Sequence, residues 1–270
     1  HRDLHSFPTR RSSDLDTGKE ILIEASSIII TTGYRVFDAG NKDQFSYLLF
    51  PDVITSLEFE RMMNASGPTG GQIQRLSDGK TPESVVFVQC VGSRDASIGR
   101  PYCSCVCCMY AIKNALLLRE KYPDMDITIL YMDIRAYGKG YEEYYERAIN
   151  AGIRFIRGMP AEVIDGDNCL AIRVENTETG EMELLTPGLV ILSVGMEPAF
   201  DSEKIAEMCE IPLEEAGFFS STDDKVDTVA TIKPGIYVAG TAISPKDIPD
   251  CVAQAGAAAM RAFIDSEREG

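Results

Sequence analysis

Five of the chain's eight cysteines fall within nineteen residues: Cys90, then Cys103, Cys105, Cys107 and Cys108 in the run PYCSCVCCMY. Thiolates gathered in this way bind soft metals or carry electrons. The histidines narrow the chemistry further, because the only two are His1 and His5. They sit in an arginine-rich, aperiodic stretch, HRDLHSFPTRRSSDL, that resembles a translated sequencing adapter and is expected to lie outside the fold. Without histidine, the body excludes a Ser-His-Asp triad, a Cys-His pair and any His-ligated zinc. A thiolate-only [4Fe–4S] cluster, a four-cysteine zinc site, a redox disulfide and plain burial remain. Zinc sites usually come as two separated C-x-x-C pairs, and none opens at Cys90. Cys169, Cys209 and Cys251 stand alone and read as small buried apolar residues, with a minor redox role open for Cys251.

Composition sets the class. The chain has 270 residues, 44% of them hydrophobic and 25% charged, as in a soluble globular protein with a real core. A formal charge of −16 argues against binding to nucleic acid or anionic lipid, which need a positive field. No apolar run reaches the ~18 residues of a spanning helix, so no membrane insertion is expected. The cysteines are not spaced as a secreted disulfide framework, which points to reducing cytoplasm.

The elements that must position the thiols follow from periodicity. A hairpin at Thr17-Gly18 leads into a buried strand, Ser27–Thr31, that ends at Gly33. Residues 38–80 read as connection with a short helix near Thr55–Asn64. The apolar run SVVFVQ, Ser84–Gln89, is a strand ending at Cys90 and Gly92. A helix follows from about Cys107 to Lys121, with Met109, Ile112, Leu116, Leu117 and Leu118 as its apolar positions. Ile127–Met132 is a strand, Gly140–Ala151 a helix and Ile153–Ile156 a strand, which together imply a parallel βαβαβ sheet. Ala161–Ile164, Leu170–Glu175 and Glu181–Leu185 form an antiparallel meander, and Leu189–Ser193 returns as a buried strand. After Gly217–Ser220 comes the buried strand GIYVAG, Gly235–Gly240, then the loop TAISPKDIPD and a helix over Val252–Ile264.

This order describes an α/β flavoprotein with two dinucleotide-binding domains, the flavin domain being incomplete. GIYVAG followed by a small-residue helix looks like a second flavin-binding motif, where glycine admits the backbone close to the cofactor. Ordinary βα turns are the plainer alternative. No G-x-G-x-x-G follows any strand, and the slot after the central strand reads VQCVGSRD. Tight nicotinamide binding is therefore not expected, and thiols stand in that slot instead. Cys90 lies at the carboxyl edge of a parallel strand, where such sheets place ligands. The loop to Cys108 closes on the same edge, so all five thiols can converge. Tyr137, Lys139 and Tyr141 read as a solvated helix start, with a partner- or cofactor-facing role as the alternative.

The segments FPDVITSLEFERMMNASGPTGG, VVFVQCVGSRD, YCSCVCCMYAIKNALLL, YMDIRAYGKGYEEYYERA, GIRFIRG, LSVGMEP and VAGTAISPKDIPDCVAQAGAAA resemble the A subunit of heterodisulfide reductase. That family is a flavin-containing iron–sulfur oxidoreductase of methanogens and other anaerobes, with a core similar to thioredoxin reductase. The resemblance implies that Cys90, Cys103, Cys107 and Cys108 hold a [4Fe–4S] cluster and that Cys105 is a bystander. It implies FAD near Gly33 and near Gly240, Thr241, Lys246, Asp247, Ile248, Pro249 and Ala253. It also implies flavin-based electron bifurcation. The implied partners are the other reductase subunits, a hydrogenase or dehydrogenase donor, and ferredoxin. The chain reads as an interior-to-carboxyl fragment, expected to bind FAD weakly or not at all alone and to be inactive by itself. Its expected parts are a non-native leader over 1–15, flavin-domain and connecting chain over 16–80, a nicotinamide-domain-like unit over 81–198, and the rest of the flavin domain over 199–270. The rivals are a nicotinamide-dependent flavin disulfide reductase using a cysteine pair, and a non-catalytic zinc module.

Overall fold

A computed structural model describes residues 21–166 and 169–269. The expected leader and the hairpin turn at Thr17-Gly18 lie outside the described residues. Short strands β1 (Ile28–Ile30) and β2 (Tyr34–Val36) open the fold. They are followed by β3 (Val53–Thr55) and helix α1 (Ser56–Met63). Thr55 and Glu58 close a reciprocal capping box at the start of α1, as their spacing allows. Then come β4 (Ser84–Val91), α2 (Cys107–Lys121), β5 (Asp126–Tyr131), α3 (Tyr141–Asn150) and β6 (Arg154–Arg157). The meander is β7 (Val163–Asp165), β8 (Leu170–Asn176) and β9 (Glu181–Leu185). β10 (Leu189–Val194), β11 (Met196–Pro198), α4 (Ser202–Cys209), β12 (Ile236–Val238) and α5 (Ile248–Glu269) complete the order.

The central sheet runs β3-β10-β4-β5-β6, all parallel. Its β-branched runs are buried on both faces, as parallel sheets require. Val85 and Phe87 of β4 face α1 and α2, packing with Phe59, Ala111, Ile112, Ala115 and Leu118. Val86 and Val88 face the opposite way, toward Phe37, Phe45 and the meander's Ile172 and Val174. The expected parallel sheet with an antiparallel meander is the architecture observed. A second lobe pairs β1 with β12 in parallel and packs them against α4 and α5. The antiparallel ribbon β2–β11 joins the lobes.

Several expectations are corrected. β3 belongs to the main sheet, although the chain around it read as connection. Three residues are too few to show a strand period. β2, β11 and α4 also went unread. β1 is not a buried strand: Ile30 is inside, but Ile28 and Ile29 are exposed, because β1 has one sheet partner and one covered face. The core face of α2 is Ala111, Ile112, Ala115 and Leu118, whose small members let the helix close on the sheet, while Leu117 is exposed. α5 begins at Ile248, four residues before the expected Val252, because Asp247 caps it by accepting the Asp250 N–H at 2.9 Å. Pro249 in the first turn forfeits no helical hydrogen bond. No helix among the described residues is long and apolar enough to cross a membrane.

Candidate metal centre

Cys90 lies near the carboxyl end of β4, and Cys107 and Cys108 form the first two positions of α2. The loop between them returns to the same edge. As a result Cys90, Cys103, Cys105, Cys107 and Cys108 all line one cavity, together with Ser93, Arg94, Ser104, Asp133 and Arg135. Neighbouring side chains usually diverge, yet Cys107 and Cys108 are both buried here. Val106, at the α2 N-cap, offers no side-chain hydrogen bond, so the amides of the first turn are left for a ligand or solvent.

The backbone around the cavity is strained. Among the described residues, five non-glycines adopt positive φ, and three of them are Cys90 (59°), Arg94 (57°) and Cys105 (63°). Each left-handed residue of this kind costs about 1–3 kcal/mol, a cost that persists where the surroundings over-determine the conformation. Those surroundings are visible. The Arg94 N–H donates to Tyr102 O at 2.8 Å, and Asp95 and Arg100 exchange backbone bonds at 2.7 and 2.9 Å. Buried Ser93 and Ser104 hydroxyls lie 2.6 Å apart, and Ser104 Oγ accepts the Met196 N–H at 2.8 Å. Gly195 leaves little room for a side chain, because a Cβ there would stand 2.3 Å from Ser93 Oγ. Gly92 is as constrained, since a Cβ would fall 2.1 Å from the Phe37 ring. Gln89, just before Cys90, is wholly buried, and neither atom of its carboxamide finds a partner among the described residues.

Arg94 clamps Asp133 through two bonds of 2.6 and 2.9 Å. Burial alone would raise the Asp133 carboxyl, but the guanidinium outweighs it and holds the carboxyl below its ordinary range. Burial pushes the Cys90 thiol up to about 11 and raises Cys107 and Cys108. Cys103 is lowered, chiefly because Cys105 donates to it, and Cys105 is raised by the same pairing. The Cys105 N–H also reaches Cys103 Sγ at 3.3 Å.

The donor set fits an iron–sulfur cluster: only thiols, more than the four required, and amides and a guanidinium at the rim. Among the described residues no group of three or more His, Cys, Asp or Glu is placed as a metal-ion site.

A second set of residues meets at the carboxyl ends of β1 and β12. The register carries Ile30 opposite Val238. Gly33 and Thr241 are therefore neighbours, with Thr241 Oγ1 3.9 Å from where a Gly33 Cβ would sit. Gly33 and Gly240 are both left-handed. Gln254 Oε1 accepts from Gly240 N–H at 2.9 Å and from Lys246 Nζ at 2.7 Å, tying this edge to α5. Burial lowers the Lys246 ammonium. Ile248 and Ala253 are exposed at the start of α5.

Residues 137–141 span from one set to the other. Tyr137 lies beside Cys105, and the Tyr141 hydroxyl donates to Asp247 Oδ2 at 3.0 Å. They are therefore not a purely solvated helix start, although Lys139 is exposed. The three isolated cysteines are not buried either. Cys169 is exposed at the start of β8, and Cys209 and Cys251, at a helix end and a first turn, are half-buried.

The A subunit of the H2:CoB–CoM heterodisulfide,ferredoxin reductase of Methanothermobacter thermautotrophicus is 48% identical over 248 residues, 91% of this chain and 38% of that subunit. The iron–sulfur A subunit of the CoB–CoM heterodisulfide reductase of Methanocaldococcus jannaschii is 49% identical over 249 residues, with the same two shares of 91% and 38%. No protein-family model matches. Among solved structures, T. acidophilum thioredoxin reductase has a TM-score of 0.55 at 18% identity, covering 89% of this chain and 66% of that one. The Lactococcus lactis enzyme has a TM-score of 0.54 at 22% identity, with 88% and 65% covered. The chain is thus a homologue of the heterodisulfide reductase A subunit, spanning about 38% of that subunit's length, with the fold of a thioredoxin-reductase-like flavoprotein.

Proposed function

We propose that this chain is the electron-transferring part of a flavo-iron–sulfur oxidoreductase, working within the A subunit of a heterodisulfide reductase. Cys90, Cys103, Cys107 and Cys108 hold a [4Fe–4S] cluster. Gly33, Gly240, Thr241, Lys246, Asp247, Ile248, Pro249 and Ala253 lie along FAD. The observation that carries the reading is one cavity lined by five thiols and no imidazole, at the carboxyl edge of a parallel strand. When bound, the cluster supplies one-electron exchange and the flavin one- or two-electron exchange. The protein's own part is to bind and orient. The thiols bind, Arg94 and Asp133 brace the rim, and Lys246 and Gln254 fix the backbone at Gly240.

The finer reading is bifurcation, in which an electron pair from a hydrogenase or dehydrogenase is divided between ferredoxin and the heterodisulfide-reducing subunits. The relatives' names support this choice of partners, since they carry hydrogen, formate, heterodisulfide and ferredoxin. Anaerobic purification followed by iron, zinc and acid-labile sulfide analysis tests the proposal. About four irons and four sulfides per chain are expected. Zinc without iron would sink it, and a metal-free protein with one fast-reacting disulfide would favour the dithiol enzyme.

A further inference from the structure

Tyr110 lies three residues after Cys107 on α2, so the two side chains share one helix face. The Tyr110 hydroxyl donates to Val194 O at 3.2 Å and accepts from Ser56 Oγ at 3.2 Å. The Cys107 thiol points at the same carbonyl, with Sγ 3.8 Å from Val194 O. The phenol and the thiol thus stand side by side, both aimed at Val194 O. Two donors therefore converge on one acceptor. The β10–β4 register slips beside that carbonyl, between Leu192 and Val194.

This arrangement suits the thiol form of Cys107 and changes once the sulfur binds iron. Binding removes the thiol proton and turns Cys107 from donor to acceptor. Its sulfur is then a buried anion, and Tyr110 carries the donor placed to meet it. Ser56, buried at the first position of α1, holds the phenol oxygen from behind. A hydroxyl that accepts one hydrogen bond donates the next more strongly. We propose that the Tyr110 hydroxyl donates a hydrogen bond to the iron-bound Cys107 sulfur and so raises the reduction potential of the cluster. The inference rests on the iron–sulfur reading above. Hydrogen bonds to ligand sulfur favour the more negative, reduced state, and such outer partners set a ligand's properties without touching the metal. Tyr110 is thus a positioning residue.

The test uses the full chain, purified anaerobically, with iron content measured first. Tyr110→Phe keeps the ring and removes only the hydroxyl. It is expected to retain the wild-type iron content and to lower the reduced-to-oxidised ratio at fixed potential at least threefold. That corresponds to a midpoint shift of about −30 mV, at 59 mV per tenfold for a one-electron couple. The iron–sulfur stretching bands are also expected to lose their sensitivity to D2O, a change that mere repacking would not produce. An unshifted potential at unchanged iron content would overturn the inference and leave the cluster standing. An iron-free wild-type chain would instead overturn the reading beneath it. If Tyr110→Phe loses iron, Ser56→Ala decides: a smaller negative shift is expected, and no shift overturns the inference.

Discussion

At Cys105 the left-handed backbone turns the residue back on Cys103, with its amide on that sulfur and its thiol toward Cys103 O at 3.5 Å. The other flank of Cys105 meets Tyr137. On the proposed ligand set, Cys105 orients Cys103 and does not itself bind iron. Cys105→Ala is therefore expected to keep the broad visible absorption of thiolate-to-iron charge transfer, and Cys107→Ala to abolish it, as read in anaerobic spectra. Equal loss from both variants would overturn the choice of ligands. The thiols were legible in the sequence because cysteine density and missing histidine need no three-dimensional context. Tyr110 was not, because its part depends on a carbonyl in a strand more than eighty residues away. Gln89 was not either, since inside an apolar run it reads only as one more strand residue.

Elements were legible where apolar runs were long. β4, α2 and β9 fall at or close to the residues their patterns indicate. The three-residue strands were not, because pairing defines them and periodicity cannot. β3 is the instructive case: it reads as connection before α1, yet it forms the edge of the main sheet. The turn after β10 shows how tightly the cavity is built on these elements. Gly195 passes between Gly92 O and the hydrogen-bonded Ser93–Ser104 pair. Gly195→Ala would press a methyl into that pair, an overpacking that costs about 1–3 kcal/mol. Urea denaturation of the metal-free protein is expected to show that loss. A variant as stable as wild type would mean that the serine pair yields freely.

At the scale of the molecule, the five clustered cysteines and the residues proposed to lie along FAD sit on different lobes. The two main-sheet clusters of buried residues draw only on positions from Phe37 to Val194. The other two clusters draw on Ile30 and on Ala206 to Ala262. The chain passes between the lobes at β2 and again at β11, where Val36 lies opposite Met196 and the Phe37 N–H donates to Gly195 O at 2.9 Å. A clamp of Arg35 and Arg100 on buried Glu197 secures the crossing, and Tyr102 packs edge-on against Phe218 beside it. Packing therefore divides the chain near residue 36, well before the expected boundary at 80, because β3 and α1 complete the sheet.

The paired crossing makes the thiol-bearing lobe an insert whose two ends start and finish side by side. Such a lobe is a cassette: it can be lifted out at 37 and 195, or moved into another host loop, without unpicking a core. Expressed alone, that segment is expected to melt in a single cooperative transition and, on the proposed ligand set, to take up iron, by calorimetry and metal analysis. A segment that fails to fold would mean the flavin-side lobe is part of its core after all. If it does fold, a five-thiol unit of this kind is portable, and a host need supply only two adjacent chain ends.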